Sequence, residues 1–165
     1  MTYYTARPVD PAAVQQLRDT DDAGQPCVPY TATEAGDLLR CCLKPMAAGE
    51  RVALVSYAPL RRWAAETWAR PGAYDEQGPV FIHAEECGAP AGADRYPAAR
   101  PGALRALRRY DADGHIVGGR LLTIPDAATA ALDAALDEAF ADPEVVLAHL
   151  RAVEYGCFLF EVRRP

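Results

Sequence analysis

Val145-Val-Leu-Ala-His149-Leu-Arg151-Ala-Val-Glu-Tyr155-Gly-Cys157-Phe-Leu-Phe160-Glu161-Val-Arg163 holds two β-prone runs around a Glu-Tyr-Gly turn. A three-residue connection with glycine at its end suits a β-hairpin, because glycine supplies the left-handed conformation such a loop needs. That turn pairs Val153 with Cys157, Arg151 with Leu159 and His149 with Glu161 on one face. Ala152/Phe158, Leu150/Phe160 and Ala148/Val162 then share the other. The second face is wholly apolar and predicts core. The first gathers His149, Arg151, Glu161 and Cys157 and reads as a solvated sheet face.

Working outward, Pro125-Asp126 opens a helix in which Leu132, Leu136 and Phe140 form an apolar stripe, with Asp133 and Asp137 facing away. Leu104 to Ile124 reads as a second hairpin turning at Asp111-Ala-Asp-Gly114. Arg51–Tyr57 and Pro79–Ala84 are buried-strand candidates. Between them Leu60, Ala64 and Trp68 recur at helical spacing, which puts Trp68 on the apolar stripe and leaves Trp63 to cap the core or to face a ligand. Asp10-Pro11 opens a short helix through Val14 and Leu17, residues 24–37 read as irregular, and a long loop is expected over residues 88–102. The order of elements predicts an α+β fold. It is expected as a single domain over residues 1–165, an antiparallel or mixed sheet of about five or six strands with two or three covering helices.

At 165 residues the chain is long enough to build a core without disulfides or metals. Its net charge of −6 and its lack of any basic cluster disfavour nucleic acid as a partner. No apolar run reaches the length of a membrane span, and no secretory leader is seen, so membrane association is not expected. Five cysteines, an odd number, suit a reducing compartment in which thiols stay free, and a cytoplasmic location is expected. No glycine-rich phosphate loop follows a strand.

Several side chains carry possible chemistry. His83 and Cys87 stand at a spacing that suits one metal ion, with Cys41, Cys42 or Cys157 to complete a tetrahedron. Against this, there is no Cys-x-x-Cys, adjacent cysteines are awkward as joint ligands, and a free Cys is among the commonest buried residues, so no metal or other cofactor is expected. Cys41-Cys42 also suits a redox pair, or two ordinary thiols. Cys157 with His149, oriented by Glu161, would suit a nucleophile and its base, although the pairing above separates Cys157 from His149 along the ladder. Arg151 and Tyr155 are candidates to hold an anion.

Three segments in combination, Arg40-Cys41-Cys42-Leu43 leading into Gly49-Glu50, Gly78-Pro79-Val80-Phe81-Ile82-His83, and His149-Leu150-Arg151 with Gly156-Cys157-Phe158, resemble the domain-of-unknown-function family 1203 of small bacterial proteins. The resemblance runs from about residue 36 to residue 165. It departs at Leu38-Leu39, where Pro-Cys is expected before the arginine, and it implies no activity and no catalytic residue.

Function stays open between two classes. One is a small-molecule-binding protein or small enzyme taking a small anionic ligand, with Cys157, His149 and His83 as catalytic candidates and Arg151, Tyr155, Cys42 and Cys87 as binding candidates. The other is a non-catalytic protein-interaction module whose polar residues merely solvate its sheet. A concave pocket holding at least three of His83, Cys87, His149, Arg151 and Cys157 would favour the first.

Overall fold

The computed structural model describes residues 3–88 and 95–165; the middle of the long loop expected over 88–102 lies outside the described residues. Strands β1 (Tyr30–Thr31), β2 (Leu38–Leu39), β3 (Lys44–Pro45), β4 (Arg51–Tyr57) and β5 (Gly78–His83) form one sheet in the order β1-β4-β5-β2-β3. Strands β6 (Leu104–Tyr110), β7 (Ile116–Thr123), β8 (Leu147–Ala152) and β9 (Phe158–Arg163) form a second in the order β7-β6-β8-β9. Three helices, α1 (Pro11–Leu17), α2 (Pro59–Thr67) and α3 (Ala128–Ala141), accompany them. The fold is α+β, with the strands shared between two sheets. No helix among the described residues is long and apolar enough to cross a membrane.

The first sheet is mixed: β4 runs antiparallel to β1 and β5, whereas β2 joins β5 in parallel through Leu39 and Phe81. The second sheet is antiparallel throughout. Its β6–β7 hairpin turns where expected, with Gly114 at a φ of 84°. A Cβ there would also stand 3.3 Å from the Trp63 ring, so glycine is required twice over.

Each sheet has its own apolar layer. The α3 stripe of Leu132, Leu136 and Phe140 packs with Leu107, Ala148, Leu150, Phe160 and Val162 of the second sheet. Val14 and Leu17 of α1 cover Ala53, Val55, Val80 and Ile82 of the first. Phe158 belongs to this second cluster and so ties the sheets together. Backbone bonds from Arg7 to Glu161 on β9 and from Val9 to Arg40 stitch the N-terminal segment to both.

Three local expectations are corrected. The β8–β9 ladder keeps His149 opposite Glu161 and Leu150 opposite Phe160. A bulge between Leu150 and Arg151 then sets Arg151 opposite Phe158, not Leu159. Trp63 is the buried indole at 6 % exposure, and Trp68 is 91 % exposed. The reason is that α2 ends at Thr67 and Trp68 takes a left-handed C-cap conformation, φ 62°, which swings its side chain off the stripe. Asp133 and Asp137 do not simply face solvent. Asp133 accepts hydrogen bonds from Arg95 (2.7 Å) and Tyr96 (2.5 Å), and Asp137 accepts one from Tyr4 (2.8 Å).

Candidate functional site: an arginine-floored cleft beside a thiol cluster

The five side chains expected to converge do not share one pocket. His83 and Cys87 lie together with Cys41 and Cys42, His149 is sealed inside the second sheet, and Arg151 and Cys157 line a cavity of about 170 Å³.

His149 has no exposed surface, and its Nε2 meets Glu161 Oε2 at 3.2 Å. Arg163 donates a hydrogen bond to the other Glu161 oxygen at 2.6 Å. Tyr110 and Phe158 rings flank the imidazole with centroids 4.7 and 5.0 Å away. Desolvation lowers the His149 pKa below its ordinary value, against the pull of Glu161, so the imidazole is neutral. Glu161 is also lowered: burial opposes its charge, and the hydrogen bond from His149 together with Arg163 outweighs that cost. The face read as solvated is therefore interior. Cys157 makes its hydrogen bond to the carbonyl of Tyr155 at 4.0 Å, and its sulfur has no bond to His149.

Arg151, the expected anion anchor, is already partnered. It donates to Glu76 Oε2 at 2.6 Å and to the Gly156 carbonyl at 3.0 Å, and Glu76 also accepts from Arg108 at 2.7 Å. Tyr155 is 91 % exposed at the rim. His115, at the β6–β7 turn, leans on the Tyr74 ring and bonds the Arg70 carbonyl at 3.2 Å.

A cleft of about 770 Å³ lies between the two sheets, within the size range of small-molecule sites. Leu38, Leu43, Leu54, Phe81 and Leu159 supply apolar walls. Leu54 is 52 % exposed, an apolar side chain left open on the floor of the cleft. Among the described residues, Arg40, Lys44, Arg100 and Arg105 stand around it against Asp37 and Glu154. This is local positive charge in a chain of net charge −6.

Arg40 is the feature sequence reading passed over. It is only 5 % exposed, and the β2–β3 turn that carries it is held by its backbone N–H bonding to the Phe81 carbonyl at 2.8 Å. Its guanidinium donates to the carbonyls of Phe158 (2.8 Å) and Leu38, and it forms no ion pair among the described residues. Among the described residues those two bonds use Nε and Nη1, which leaves Nη2 turned to the cleft. Burial brings its pKa down to about 10, which still leaves it cationic at neutral pH. Arg105, 3 % exposed, differs in having Glu154 at 3.6 Å and the Ala98 carbonyl at 2.8 Å.

On the other side of the same turn, one donor atom from each of Cys41, Cys42, His83 and Cys87 lies within 4.8 Å of the rest. His83 Nδ1 is 3.4 Å from Cys41 Sγ and 3.7 Å from Cys42 Sγ, and its Nε2 meets Glu50 Oε1 at 3.2 Å. The Cys42 thiol is pulled down to about 6, first by the hydrogen bond that Cys41 donates to its sulfur; Cys41, as that donor, is pushed up. These four residues are the set among the described residues able to hold a metal ion. All five cysteines are free thiols.

A family model described as a protein of unknown function, DUF1203, matches residues 36–164. The chain belongs to DUF1203. Every residue of the thiol cluster, its Glu50 partner and all the cleft residues named above fall within that DUF1203 span, whereas α1 and β1 precede it. No curated protein and no solved structure matches the chain.

Proposed function

We propose that this DUF1203 protein binds a small amphipathic anion, a carboxylate or phosphate on an apolar body, in the cleft between its two sheets. The observation that carries the reading is Arg40: a guanidinium 5 % exposed, with no carboxylate partner among the described residues, lining a 770 Å³ cleft. Asp37 attracts Arg40 across the cleft without forming an ion pair, and an anion bound directly on the guanidinium would offset the burial cost that remains. Leu54 and Phe81 offer the apolar body a surface already dry on one side. Binding is favoured over catalysis because Cys157, the one thiol on the cleft wall, has no imidazole bonded to it.

Calorimetric titration with decanoate and with decanol tests this. A charge-assisted hydrogen bond contributes about 1.5–3 kcal/mol, so decanoate should bind roughly 10- to 150-fold more tightly than the alcohol. Leu54→Trp, which fills the cleft from an exposed position, should remove binding of both without loss of fold. Equal affinity for the two ligands, or undiminished binding by Leu54→Trp, would move the site elsewhere.

A further inference from the structure

The thiol cluster stands apart from the anion-binding reading, since none of its four ligand residues lines the cleft. We infer that Cys41, Cys42, Cys87 and His83, through Nδ1, hold one zinc ion in a closed tetrahedral site.

A tetrahedral zinc with bonds of about 2.3 Å to sulfur and about 2.0–2.1 Å to nitrogen has sulfur–nitrogen edges of about 3.5 Å and sulfur–sulfur edges of about 3.8 Å. The two sulfur–nitrogen separations here are 3.4 and 3.7 Å, and all four donor atoms fit within 4.8 Å of one another. An ion therefore needs only a small contraction of the cluster. The three-sulfur, one-nitrogen donor set excludes hard cations such as magnesium and calcium, which take oxygen, and suits zinc.

Neighbouring cysteines share the site because they do not sit on a strand. Residues 40–43 form the tight turn between β2 and β3, with Leu43 at a φ of 57° and its N–H bonded to the Leu39 carbonyl at 2.7 Å. In that turn consecutive side chains do not alternate between opposite faces, and both sulfurs reach the same imidazole. The parallel contact between β2 and β5 brings the turn beside His83. Arg18 then pins the chain beyond β5 by donating to the carbonyls of His83 (3.1 Å) and Glu85 (2.5 Å), which turns Cys87 back toward the cluster.

The surroundings also match what a metal-bound histidine and thiolate require. Glu50 Oε1 accepts a hydrogen bond from the His83 Nε2–H, fixing the tautomer that leaves Nδ1 free to ligate, and Glu50 is itself held by the Ala47 N–H at 2.8 Å. The His83 backbone N–H points at Cys41 Sγ at 3.2 Å, a bond that stabilises sulfur carrying negative charge. Cys41, His83 and Cys87 are each partly exposed, so an ion has a path in. With all three sulfurs bound as thiolates the site carries one net negative charge, their remaining protons having gone to solvent, and Lys44 follows Cys42 in the chain as a nearby cation. With no open ligand position, the ion's role is to clamp the β2–β3 turn to the end of β5.

The test is elemental analysis of tag-free full-length protein, prepared in reductant without chelator and dialysed against low zinc. One zinc per chain is expected. Alkylation of the folded protein followed by mass spectrometry should modify Cys27 and Cys157 and spare Cys41, Cys42 and Cys87 until a strong chelator is added. Replacement by cobalt should give sulfur-to-cobalt charge-transfer absorption, and Glu50→Gln should keep the stoichiometry while weakening zinc affinity roughly 10- to 100-fold. Zinc-replete protein without bound metal would overturn the inference, whether the thiols are all modified or Cys41 and Cys42 are joined as a disulfide. So would zinc retained at full affinity by Cys87→Ser. None of these readouts involves decanoate, so failure here leaves the cleft reading standing.

Discussion

His149 gives the most exposed test of the packing, because its full burial beside Glu161 opposes what the pair would do in solvent. The perturbation is acidification from pH 7.0 to 5.5 in wild type and in His149→Gln, which keeps a side-chain N–H toward Glu161. Burial lowers the folded-state pKa below the 6.5 of an unfolded histidine. The sign follows: below pH 6.5 the unfolded chain takes up a proton that the folded chain refuses. Stability is therefore fully present above that pH and is lost as pH falls toward the folded pKa. If His149 stays neutral throughout, the loss over this range is about 1.3 kcal/mol, from a limiting slope of about 1.4 kcal/mol per pH unit. Glu161 ionises below this window and does not contribute to the difference. Urea unfolding followed by tryptophan fluorescence at both pH values measures it. Wild type should lose about 1 kcal/mol more than His149→Gln. Equal losses, or a histidine resonance titrating above 6.5 by NMR, would refute the buried neutral imidazole.

Phe160, 2 % exposed against the α3 stripe, should cost about 3–5 kcal/mol on truncation to alanine, read from the same unfolding curves; less than about 1 kcal/mol would mean a different register at β9. Trp63→Ala should destabilise by a similar amount and Trp68→Ala by less than about 0.5 kcal/mol, a contrast that thermal melts decide. Decanoate at about one hundred times its dissociation constant should stabilise the fold by about 2.7 kcal/mol and raise Tm by roughly 5–10 °C, with no rise for Leu54→Trp.

The parts of the fold legible in the sequence are those with local periodicity. The α3 stripe, the Asp111–Gly114 turn and the pairing of His149 with Glu161 follow from helical and strand spacing over a few residues. The bulge after Leu150 carried no signal, and it moves Phe158 from the Phe160 layer to the layer that covers the first sheet. The indoles were exchanged because the end of α2 depends on the cap conformation at Trp68, which spacing does not reveal.

The site was legible in its residue types and not in its geometry. Cys41, Cys42, His83 and Cys87 drew attention as cysteines and a histidine, but their meeting depends on a parallel contact between a two-residue strand and β5, forty residues apart in the chain. Strands so short leave no pattern. Arg151 looked available because its partner, Glu76, lies in the connection before β5. Arg40 looked ordinary because burial is a tertiary property, and only the two sheets together enclose it.

A crystal structure of the protein grown with decanoate tests the central claim most directly. The account predicts the carboxylate within hydrogen-bonding distance of Arg40 Nη2 and the alkyl chain over Leu54 and Phe81. An unliganded cleft at saturating decanoate, or a carboxylate bound away from Arg40, would contradict it.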